Sequence, residues 1–286
     1  LAFNTAFSIK SFLTNKFHIQ HVPILDLVFS PLNHALGGNM KLLICGGAAL
    51  PVEIQNFLKI GCNVSFIQGY GLTETAAGVT VQRATDVNNN NVGVLLYATQ
   101  AKMKDVPEMG YFAKNFEGEL FVKGATIFHG YYKNPEATDA AFDEDHWFRT
   151  GDIFRLNQTT GQFQMIGRAK ELVKLSQGEY ISLAKLQSAY STVKYVLQIY
   201  IHAGLQSRFL VAVVVLDKHQ AGYNKVSPKQ MVELLNERAK ELQFNGFEKI
   251  RAVYLTTDEF TTENGLLTPS LKIVRYKIAQ KYEDQI

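Results

Sequence analysis

Two segments that each have the pattern of a strand ending in glycine constrain the fold of this chain more than any other feature. They are "MKLLICGG" (residues 40–47) and "CNVSFIQGYG" (residues 62–71), and they flank "AALPVEIQNFLK" (residues 48–59), whose apolar residues have helical spacing. A strand, helix, strand order builds mostly parallel sheets, whose ligands lie beyond the carboxyl ends of the strands. We therefore expect a short buried first strand, a second strand beside it, and a ligand site at their glycine ends.

The middle of the chain predicts an exposed loop followed by β-structure. The asparagine run in "ATDVNNNNVG" (residues 84–93) has no means of burying itself, so we expect a loop there. The segments that follow are short, rich in β-formers and punctuated by glycine, which indicates an antiparallel sheet or distorted barrel. They are "EGELFVKG" (117–124), "FHGYY" (128–132), "HWFRTGDIFRL" (146–156) and "GQFQMIG" (161–167).

The last part of the chain predicts a small α+β domain. Segment 227–243 has the pattern of an amphipathic helix that begins at Ser227, with Pro228 in its first position. The remaining elements are predicted strands: two in 194–217, around a turn at 204–207, and one in 250–256.

We place the domain boundary near residues 167–170, where the sequence texture changes. This gives one domain at 1–168 and a second at 169–286, as expected for a chain longer than a typical single domain. The predicted fold class is α/β and α+β: a parallel sheet unit with a β-rich subdomain, joined by a hinge to the small α+β domain.

Composition and charge exclude several classes of protein. Residues 169–286 carry 16 basic and 12 acidic side chains, a mild excess that suits a phosphorylated ligand but lacks the dense basic stripe of nucleic-acid binders. Cys45 and Cys62 have no metal spacing, which indicates inert thiols in a reducing compartment. No apolar run approaches the ~20 residues of a membrane span, and the first residues lack the pattern of a signal peptide. We expect an intracellular protein without nucleic-acid partners.

The loop "QGYGLTETAAG" (residues 68–78) places one carboxylate, Glu74, among glycines and hydroxyls. Glycines let an anionic group approach backbone N–H groups, and Thr73 and Thr75 add donors. A carboxylate beside phosphate is then best explained as a ligand for the accompanying Mg²⁺. The alternative is a glycine turn that leads into a helix capped by Thr73.

A second candidate is Asp152 in "RTGDI" (residues 149–153). An aspartate after a glycine turn can accept both hydroxyls of a ribose with its two oxygens. The alternative is an Asx-type turn that the aspartate stabilises through its own backbone.

Two basic segments are the remaining candidates. "GRAKELVKLSQGEYIS" (residues 167–182) carries Arg168, Lys170 and Lys174 at the predicted boundary, with a flexible glycine at Gly178. Basic residues at a hinge can meet an anion in one closure state and release it in another, although a solvated strand explains the charges too. In "LLTPSLKIVRYKI" (residues 266–278), Lys272 follows a Thr-Pro turn, where a mobile loop would offer it to a developing oxyanion.

Taken in order and spacing, these segments resemble the adenylate-forming superfamily of acyl-CoA synthetases, peptide-synthetase adenylation domains and luciferases. Two longer stretches, "ELVKLSQGEYISLAKLQSAY" and "GLLTPSLKIVRYKIAQKYEDQI", resemble the eukaryotic long-chain fatty acyl-CoA synthetases in particular. The segments that carry the resemblance are "GGAAL", "QGYGLTET", "GEL", "TGDI", "GRAKEL" and "LKIVR".

The resemblance implies a two-step ligation with fatty acid, ATP and coenzyme A as substrates and Mg²⁺ as cofactor. A fatty acid carboxylate attacks the α-phosphate of ATP to give acyl-adenylate, and the thiol of coenzyme A then displaces AMP. For the nucleotide, the implied residues are Gly47 and Ala48 at the adenine pocket, Gln68, Gly69 and Gly71 in the loop, Tyr70 stacked on adenine, Thr73 at phosphate, Asp152 at the ribose and Arg168 beside it. The other implied roles are Glu74 as Mg²⁺ ligand, Lys170 as hinge, Lys272 for adenylation, and Lys174 with Gly178, which lines the pantetheine passage, for thioester formation.

The chain also departs from the family pattern. Residues 1–40 contain no Ser/Thr/Gly-rich loop ending in lysine, which in the family grips the β- and γ-phosphates. The chain therefore resembles the carboxy-terminal half of such an enzyme, with membrane attachment left to an amino-terminal segment. In addition, Leu271 stands before Lys272 where many superfamily members have glycine.

Two alternatives to a long-chain ligase stay open. The first is a ligase that adenylates another acid or uses another acceptor. The second is a non-catalytic nucleotide-binding module, because the phosphate-gripping loop is missing. The sequence sets neither acyl length nor oligomeric state.

Overall fold

The computed structural model describes residues 2–17, 19, 21–48, 50–84, 86, 89–169, 172–176, 178–203 and 209–286. The chain divides into two compact units, Leu1–Ala169 and Lys170–Ile286. The helices are α1 (Ala2–Phe17), α2 (Pro23–Ala35), α3 (Val52–Gly61), α4 (Pro135–Ala141), α5 (Leu183–Tyr190), α6 (Pro228–Glu241) and α7 (Arg275–Lys281). The strands are β1 (Leu42–Cys45), β2 (Ser65–Tyr70), β3 (Thr80–Val81), β4 (Val94–Leu95), β5 (Thr99–Lys104), β6 (Glu117–Gly124), β7 (Phe148–Leu156), β8 (Phe163–Arg168), β9 (Leu172–Lys174), β10 (Tyr180–Ser182), β11 (Val196–His202), β12 (Leu210–Leu216) and β13 (Ile250–Thr256).

The first unit begins with the predicted strand, helix, strand arrangement. Strands β1 and β2 are parallel, with Leu42 opposite Ser65 and Cys45 opposite Gln68, and α3 connects them. The order β1-β2-β3-β4 completes the sheet, in which β3 and β4 are antiparallel additions. The parallel unit is thereby confirmed.

The prediction that β1 is a buried strand is wrong. Its side chains alternate between exposed and half-buried, and Ile44 is 69% exposed. The physical reason is position, because β1 is the edge strand of its sheet and pairs only with β2 in the described part of the chain.

Helices α1, α2 and α3 pack against one another and share an aromatic cluster and a buried lysine. Phe3 of α1 packs edge-on against Phe29 of α2 at 5.2 Å between ring centroids. Beside these rings, Lys10 is almost completely buried, and its Nζ lies 2.6 Å from Asp26 Oδ1. The same ammonium donates hydrogen bonds to the carbonyl of Ile60 at 3.1 Å and to Asn63 Oδ1 at 3.0 Å. This lysine therefore links all three helices of the segment.

The second sheet of the first unit is an antiparallel meander of order β5-β6-β7-β8, which confirms the predicted antiparallel sheet. Segment 128–132 is an exception, because it forms no strand. Strand β5 was not predicted, since its sequence "TQAKMK" has too few β-formers to stand out.

The asparagine loop is only partly exposed, so the prediction of an exposed loop fails at Asn91. The side chain of Asn91 is buried, and its Oδ1 accepts a hydrogen bond from the backbone N–H of Gly93 at 2.9 Å. Gln82 Nε2 donates to the backbone carbonyl of the same asparagine at 2.9 Å. Hydrogen bonds to both its side-chain and its backbone oxygen reduce the cost of burying this asparagine, and composition alone does not reveal them.

A hydrophobic core joins the two sheets of the first unit. Backbone hydrogen bonds also connect them, because Val92 N donates to Phe163 O at 2.8 Å and Phe163 N to Gly93 O at 2.7 Å. The core places the end of β2 against the antiparallel sheet, and its buried members are Tyr70, Val79, Leu120, Val122, Phe148, Phe154 and Phe163.

The second unit has the predicted α+β composition. Its sheet has the order β11-β12-β13, antiparallel and then parallel. Helices α5 and α6 cover one face with a large apolar core, and α7 covers the other with Phe260 and Tyr282. The predicted turn between β11 and β12 lies outside the described residues. Helix α6 begins as predicted, since Ser227 is the N-cap in a capping box with Gln230.

The helices of the described residues give no sign of a membrane span. None of them is both long enough and apolar enough to cross a bilayer.

Replacing Lys10 with methionine is expected to lower the free energy of unfolding by about 3 kcal/mol, because it leaves Asp26 without its charge partner in a largely buried place. Methionine keeps most of the aliphatic stem, so the change removes chiefly the ammonium group with its ion pair and its two hydrogen bonds. Chemical denaturation followed by circular dichroism measures the loss.

The control is Lys16→Met on the same helix, where the lysine is exposed. Equal stability of the two variants would show that the Lys10–Asp26 pair contributes nothing to the fold.

Candidate functional site

The two glycine turns that follow β1 and β2 lie side by side in the first unit. A Cβ added at Gly46 would be 3.3 Å from the carbonyl oxygen of Gly69, so the turns are in near contact. Gly47 and Ala48 are exposed in the first turn. The structure thus brings the predicted residues of both turns to one end of the parallel strands.

A carboxylate from the other sheet reaches this end of β2. Asp152 lies on β7 and is 1% exposed, and Tyr70 at the end of β2 donates its hydroxyl hydrogen bond to Asp152 Oδ2. On the neighbouring strand, Arg168 stands opposite in register and its Nε lies 3.3 Å from Asp152 Oδ1. The Asx-turn alternative is therefore wrong, because Asp152 is a strand residue that holds two side chains of the predicted site.

Both oxygens of Asp152 have protein partners, yet a carboxylate has about four acceptor positions. A ribose hydroxyl that binds Asp152 would have to use acceptor positions other than those occupied by Tyr70 and Arg168. The ribose role of Asp152 stays a prediction.

The environment of Tyr70 keeps its hydroxyl protonated. Burial raises the pKa of Tyr70 far above its ordinary value, and the negative charge of Asp152 raises this pKa further. Its ring packs edge-on against Phe154, with 4.7 Å between centroids. Tyr70 is a core residue at the strand end, and adenine stacking by its ring stays a prediction.

The glycine-rich loop folds into one short 3-10 turn, Thr73–Thr75, rather than into a helix capped by Thr73. The hydroxyl of the buried Thr75 is used within the loop, because it accepts from Leu72 N at 2.9 Å and donates to Leu72 O at 3.0 Å. Thr75 therefore offers no donor to a ligand, contrary to the sequence prediction. Thr73 is exposed, and its side chain has no partner within the described ranges.

The loop is held in a tight conformation. A Cβ at Gly71 would lie 2.2 Å from the carbonyl oxygen of Ala77, so only glycine fits this approach. Ala76 and Ala77 follow with φ angles of 49° and 70°. Left-handed alanines cost roughly 1 to 2 kcal/mol each, and such strain is typical of functional loops.

Glu74 lies in this turn, half-buried, with one oxygen engaged. Its Oε1 accepts a hydrogen bond from the Tyr131 hydroxyl at 2.8 Å. No cluster of three or more His, Cys, Asp or Glu side chains that could hold a metal occurs in the part of the chain that the structure describes. A single carboxylate suits Mg²⁺, which usually keeps several waters and binds one or two carboxylates together with substrate phosphates.

Gln68 has a structural role that the motif did not reveal. Its Nε2 donates to Gln55 Oε1 at 2.7 Å, and its backbone N–H donates to Gln82 Oε1 at 2.8 Å. Gln55 in turn donates to Gln82 at 3.1 Å. This buried amide network braces the end of β2, and a direct contact of Gln68 with a nucleotide stays a prediction.

In the second unit, Lys174 and Gly178 lie on one β-hairpin formed by β9 and β10. Lys174 is exposed, with its Nζ 5.4 Å from the centroid of the Tyr180 ring. Gly178 has a φ of +93°, which explains why glycine stands there. The predicted hinge residue, Lys170, lies outside the described residues.

Lys272 lies on a hydrogen-bonded turn rather than on an irregular loop. Its carbonyl oxygen accepts from Thr268 N at 2.8 Å, and its N–H donates to Thr268 Oγ1 at 3.0 Å. The preceding Leu271 has a φ of +60° and a side chain that is 71% exposed. The turn thus places Leu271 in the left-handed conformation that glycine prefers.

Arg275 ends the "LKIVR" segment, and its role is visible only in the folded chain. Its guanidinium donates to Ile201 O at 3.1 Å and to Gln187 Oε1. The same group lies over the Tyr200 ring at 5.5 Å. These contacts fasten the first residue of α7, three positions after Lys272, to β11 and α5.

The chain is similar in sequence to AMP-binding enzymes, among them long-chain acyl-CoA ligases and synthetases. Residues 13–132 match the family described as AMP-binding enzyme. The chain is 34% identical over 276 residues to long-chain-fatty-acid–CoA ligase 5 of Rattus norvegicus. This alignment covers 91% of the present chain and 40% of the rat protein. It is 36% identical to long chain acyl-CoA synthetase 3 of Arabidopsis thaliana, over 99% of this chain and 46% of that one.

Solved structures agree. The A domain of carboxylic acid reductase from Segniliparus rugosus, in complex with AMP and a co-purified carboxylic acid, superimposes with a TM-score of 0.81 at 31% identity. The match covers 99% of this chain and 44% of that one. The chain is therefore similar to these proteins both in sequence and in fold. It spans less than half the length of these relatives.

In this chain, the described residues of the predicted site fall into two groups, one in each unit. The first unit holds the turn residues, the glycine-rich loop with Glu74, and the contact of Tyr70 with Asp152 and Arg168. The second unit holds Lys174, Gly178 and Lys272. Motif comparison missed the residues that support the predicted site, because each of them contacts another side chain or the backbone and belongs to no recognised site motif. They are Gln55, Gln82, Tyr131 and Arg275.

Tyr70→Phe is expected to lower the free energy of unfolding by about 1 to 3 kcal/mol at pH 8, since a buried carboxylate loses a donor. The difference in the free energy of unfolding between Tyr70→Phe and the wild type should become smaller above pH 10. Tyrosine in the unfolded chain ionises near pH 10, whereas the raised pKa of Tyr70 keeps it protonated in the folded chain. Above pH 10, the free energy of unfolding of the wild type therefore falls by up to about 1.4 kcal/mol per pH unit because of this group, and that of Tyr70→Phe does not.

Denaturant titrations at pH 8 and pH 11 check this expectation. Tyr97→Phe is the control, because the Tyr97 side chain is fully exposed. A deficit of Tyr70→Phe that is the same at both pH values would contradict the assigned ionisation behaviour.

Leu271→Gly is expected to stabilise the second unit by about 1 kcal/mol, because it removes left-handed strain and exposes no new core. Ser270→Gly, one residue earlier and without a positive φ, should instead destabilise by about 0.5 to 1 kcal/mol. Thermal unfolding of the two variants gives the comparison. Changes of the same sign would mean that the turn has another conformation in solution.

Proposed function

We propose that the protein carrying this chain activates a long-chain fatty acid with ATP and transfers it to coenzyme A. The observation that carries the proposal is the contact of Tyr70, Asp152 and Arg168 beside the Glu74 loop. It occurs in a chain that is 34% identical to a long-chain-fatty-acid–CoA ligase and 36% identical to a long chain acyl-CoA synthetase.

The proposed chemistry has two balanced steps. An oxygen of the fatty acid carboxylate forms a bond to the α-phosphorus of ATP, and the bond to the bridging oxygen breaks to release pyrophosphate. The sulfur of coenzyme A then forms a bond to the acyl carbon, and AMP leaves while the thiol proton is lost. The first step requires no general base, because a carboxylic acid is already ionised at neutral pH.

In the first unit, residues bind and orient the nucleotide. Gly47 and Ala48 line the adenine pocket with Tyr70, and Asp152 accepts hydrogen bonds from the ribose with Arg168 beside it. The glycines of the loop let the phosphates approach the backbone, and the exposed hydroxyl of Thr73 donates a hydrogen bond to them. Mg²⁺, when bound, neutralises phosphate charge, and Glu74 is the residue that would hold it.

In the second unit, the lysines supply charge. Lys272 stabilises the negative charge that develops during adenylation. Lys174 and Gly178 serve thioester formation, and Lys170 is assigned as the hinge. The firm turn around Lys272 supports this proposal, since charge stabilisation depends on prior positioning of the group.

A second candidate function keeps the adenylation step and changes the acceptor. It is favoured by the likeness to the carboxylic acid reductase domain, which covers 99% of this chain. Dependence of product formation on coenzyme A separates the two candidates.

The full-length protein, supplied with palmitate, ATP, Mg²⁺ and coenzyme A, is expected to release AMP and form palmitoyl-CoA. In the same protein, Lys272→Ala should slow adenylate formation by about 100- to 1,000-fold, the usual effect of losing one charge-stabilising group, while thioester formation from supplied palmitoyl-adenylate stays near wild type. Pyrophosphate exchange and thioester release measure the two halves separately.

Lys229→Ala is the control, since it removes an exposed lysine of α6. Equal losses by Lys272→Ala in both half-reactions would contradict its assignment. Absence of AMP with fatty acids of every chain length would overturn the proposed function.

A further inference from the structure

A segment with no assigned role, Phe128–Tyr131, contacts the residue that the proposed function makes the metal ligand. Two contacts reach Glu74 from it. The Phe128 N–H donates to the backbone carbonyl of Glu74 at 2.8 Å, and the Tyr131 hydroxyl donates to Glu74 Oε1 at 2.8 Å. Main chain and side chain of the same residue are therefore both held.

The segment is itself firmly placed. The ring of Phe128 packs against Phe142 at 5.6 Å and against Phe148 at 5.4 Å between centroids. Tyr131 N donates to Oγ1 of Thr138 in α4 at 2.9 Å. Its ring also lies edge-on to Phe128 at 4.9 Å. These contacts give the Tyr131 hydroxyl a fixed position relative to the antiparallel sheet.

A neutral phenol is well suited to orient a metal-binding carboxylate. It donates one hydrogen bond and adds no charge, so the carboxylate keeps its full negative charge for a cation. Only Oε1 is engaged by Tyr131, and the carboxylate retains further acceptor positions. Hydrogen-bond partners of metal ligands commonly set ligand orientation and affinity.

We infer that Tyr131 is a positioning residue that orients Glu74 toward a divalent cation bound with the nucleotide. This inference rests on the proposed function, because that proposal makes Glu74 the metal ligand. A purely structural role, in which Tyr131 only fastens the loop, predicts a loss of stability without a specific loss of metal affinity.

The chain offers a matched control at the next position. Tyr132 is 88% exposed, compared with 39% for Tyr131, and its ring contact is with the adjacent Lys133. Tyr131→Phe and Tyr132→Phe therefore remove the same hydroxyl group from neighbouring residues, and only the first breaks a hydrogen bond to Glu74.

The experiment measures Mn²⁺ binding by electron paramagnetic resonance in the full-length protein saturated with a non-hydrolysable ATP analogue. Tyr131→Phe is expected to weaken Mn²⁺ binding on the order of 10-fold, the usual size for loss of a ligand's hydrogen-bond partner. Tyr132→Phe should match wild type, and Glu74→Gln should weaken Mn²⁺ binding more than Tyr131→Phe does. Affinity for the analogue without metal should be unchanged in both tyrosine variants.

Each other outcome overturns the inference in a recognisable way. If Glu74→Gln weakens Mn²⁺ binding and Tyr131→Phe does not, the positioning role fails while the metal site of the proposed function stands. If Tyr131→Phe weakens metal-free nucleotide binding equally, the role is structural. If Glu74→Gln binds Mn²⁺ like wild type, the metal site fails together with the inference, whereas palmitoyl-CoA formation tests the proposed reaction independently.

Discussion

The hydrogen bond between Tyr70 and Asp152 is the interaction on which the first unit depends. It joins the end of a parallel strand to the middle of an antiparallel one, within a core that both sheets share. Arg168 completes the connection from the next strand of the second sheet. Because Tyr70 and Asp152 are both buried in this core, their hydrogen bond holds the end of β2 against β7. The glycine-rich loop that follows Tyr70 therefore starts from a fixed point, which any precise placement of its backbone N–H groups requires.

The sequence predicted the elements whose pattern is local. Segments 40–47 and 62–71 became β1 and β2 because apolar runs that end in glycine are distinctive, and α6 began at Ser227 because a capping box is a short-range signal. It did not reveal the exposure of Ile44, which depends on the place of β1 at the edge of its sheet. Burial of Asn91 likewise depends on partners at Gln82 and Gly93 that meet it only in the folded chain.

The candidate site shows the same division. Motif comparison predicted Glu74, Asp152 and Lys272, each inside a recognisable stretch. Tyr131 is 57 positions from Glu74, and Gln55 is 13 positions from Gln68, so no local pattern connects these pairs. Supporting residues of this kind can be recognised only from interatomic distances in the folded structure. The left-handed φ of Leu271 is equally invisible to composition, although the family comparison marked the position as unusual.

The open side of β1 has a consequence for how the chain behaves in solution. A strand with no partner on one edge, within the described residues, presents backbone N–H and C=O groups to which a further strand can add. The apolar side chains of Leu42 and Ile44 lie on the exposed face of the same strand. Such an edge is a site for intermolecular β-pairing, so this polypeptide, when purified by itself at high concentration, is expected to self-associate through β1.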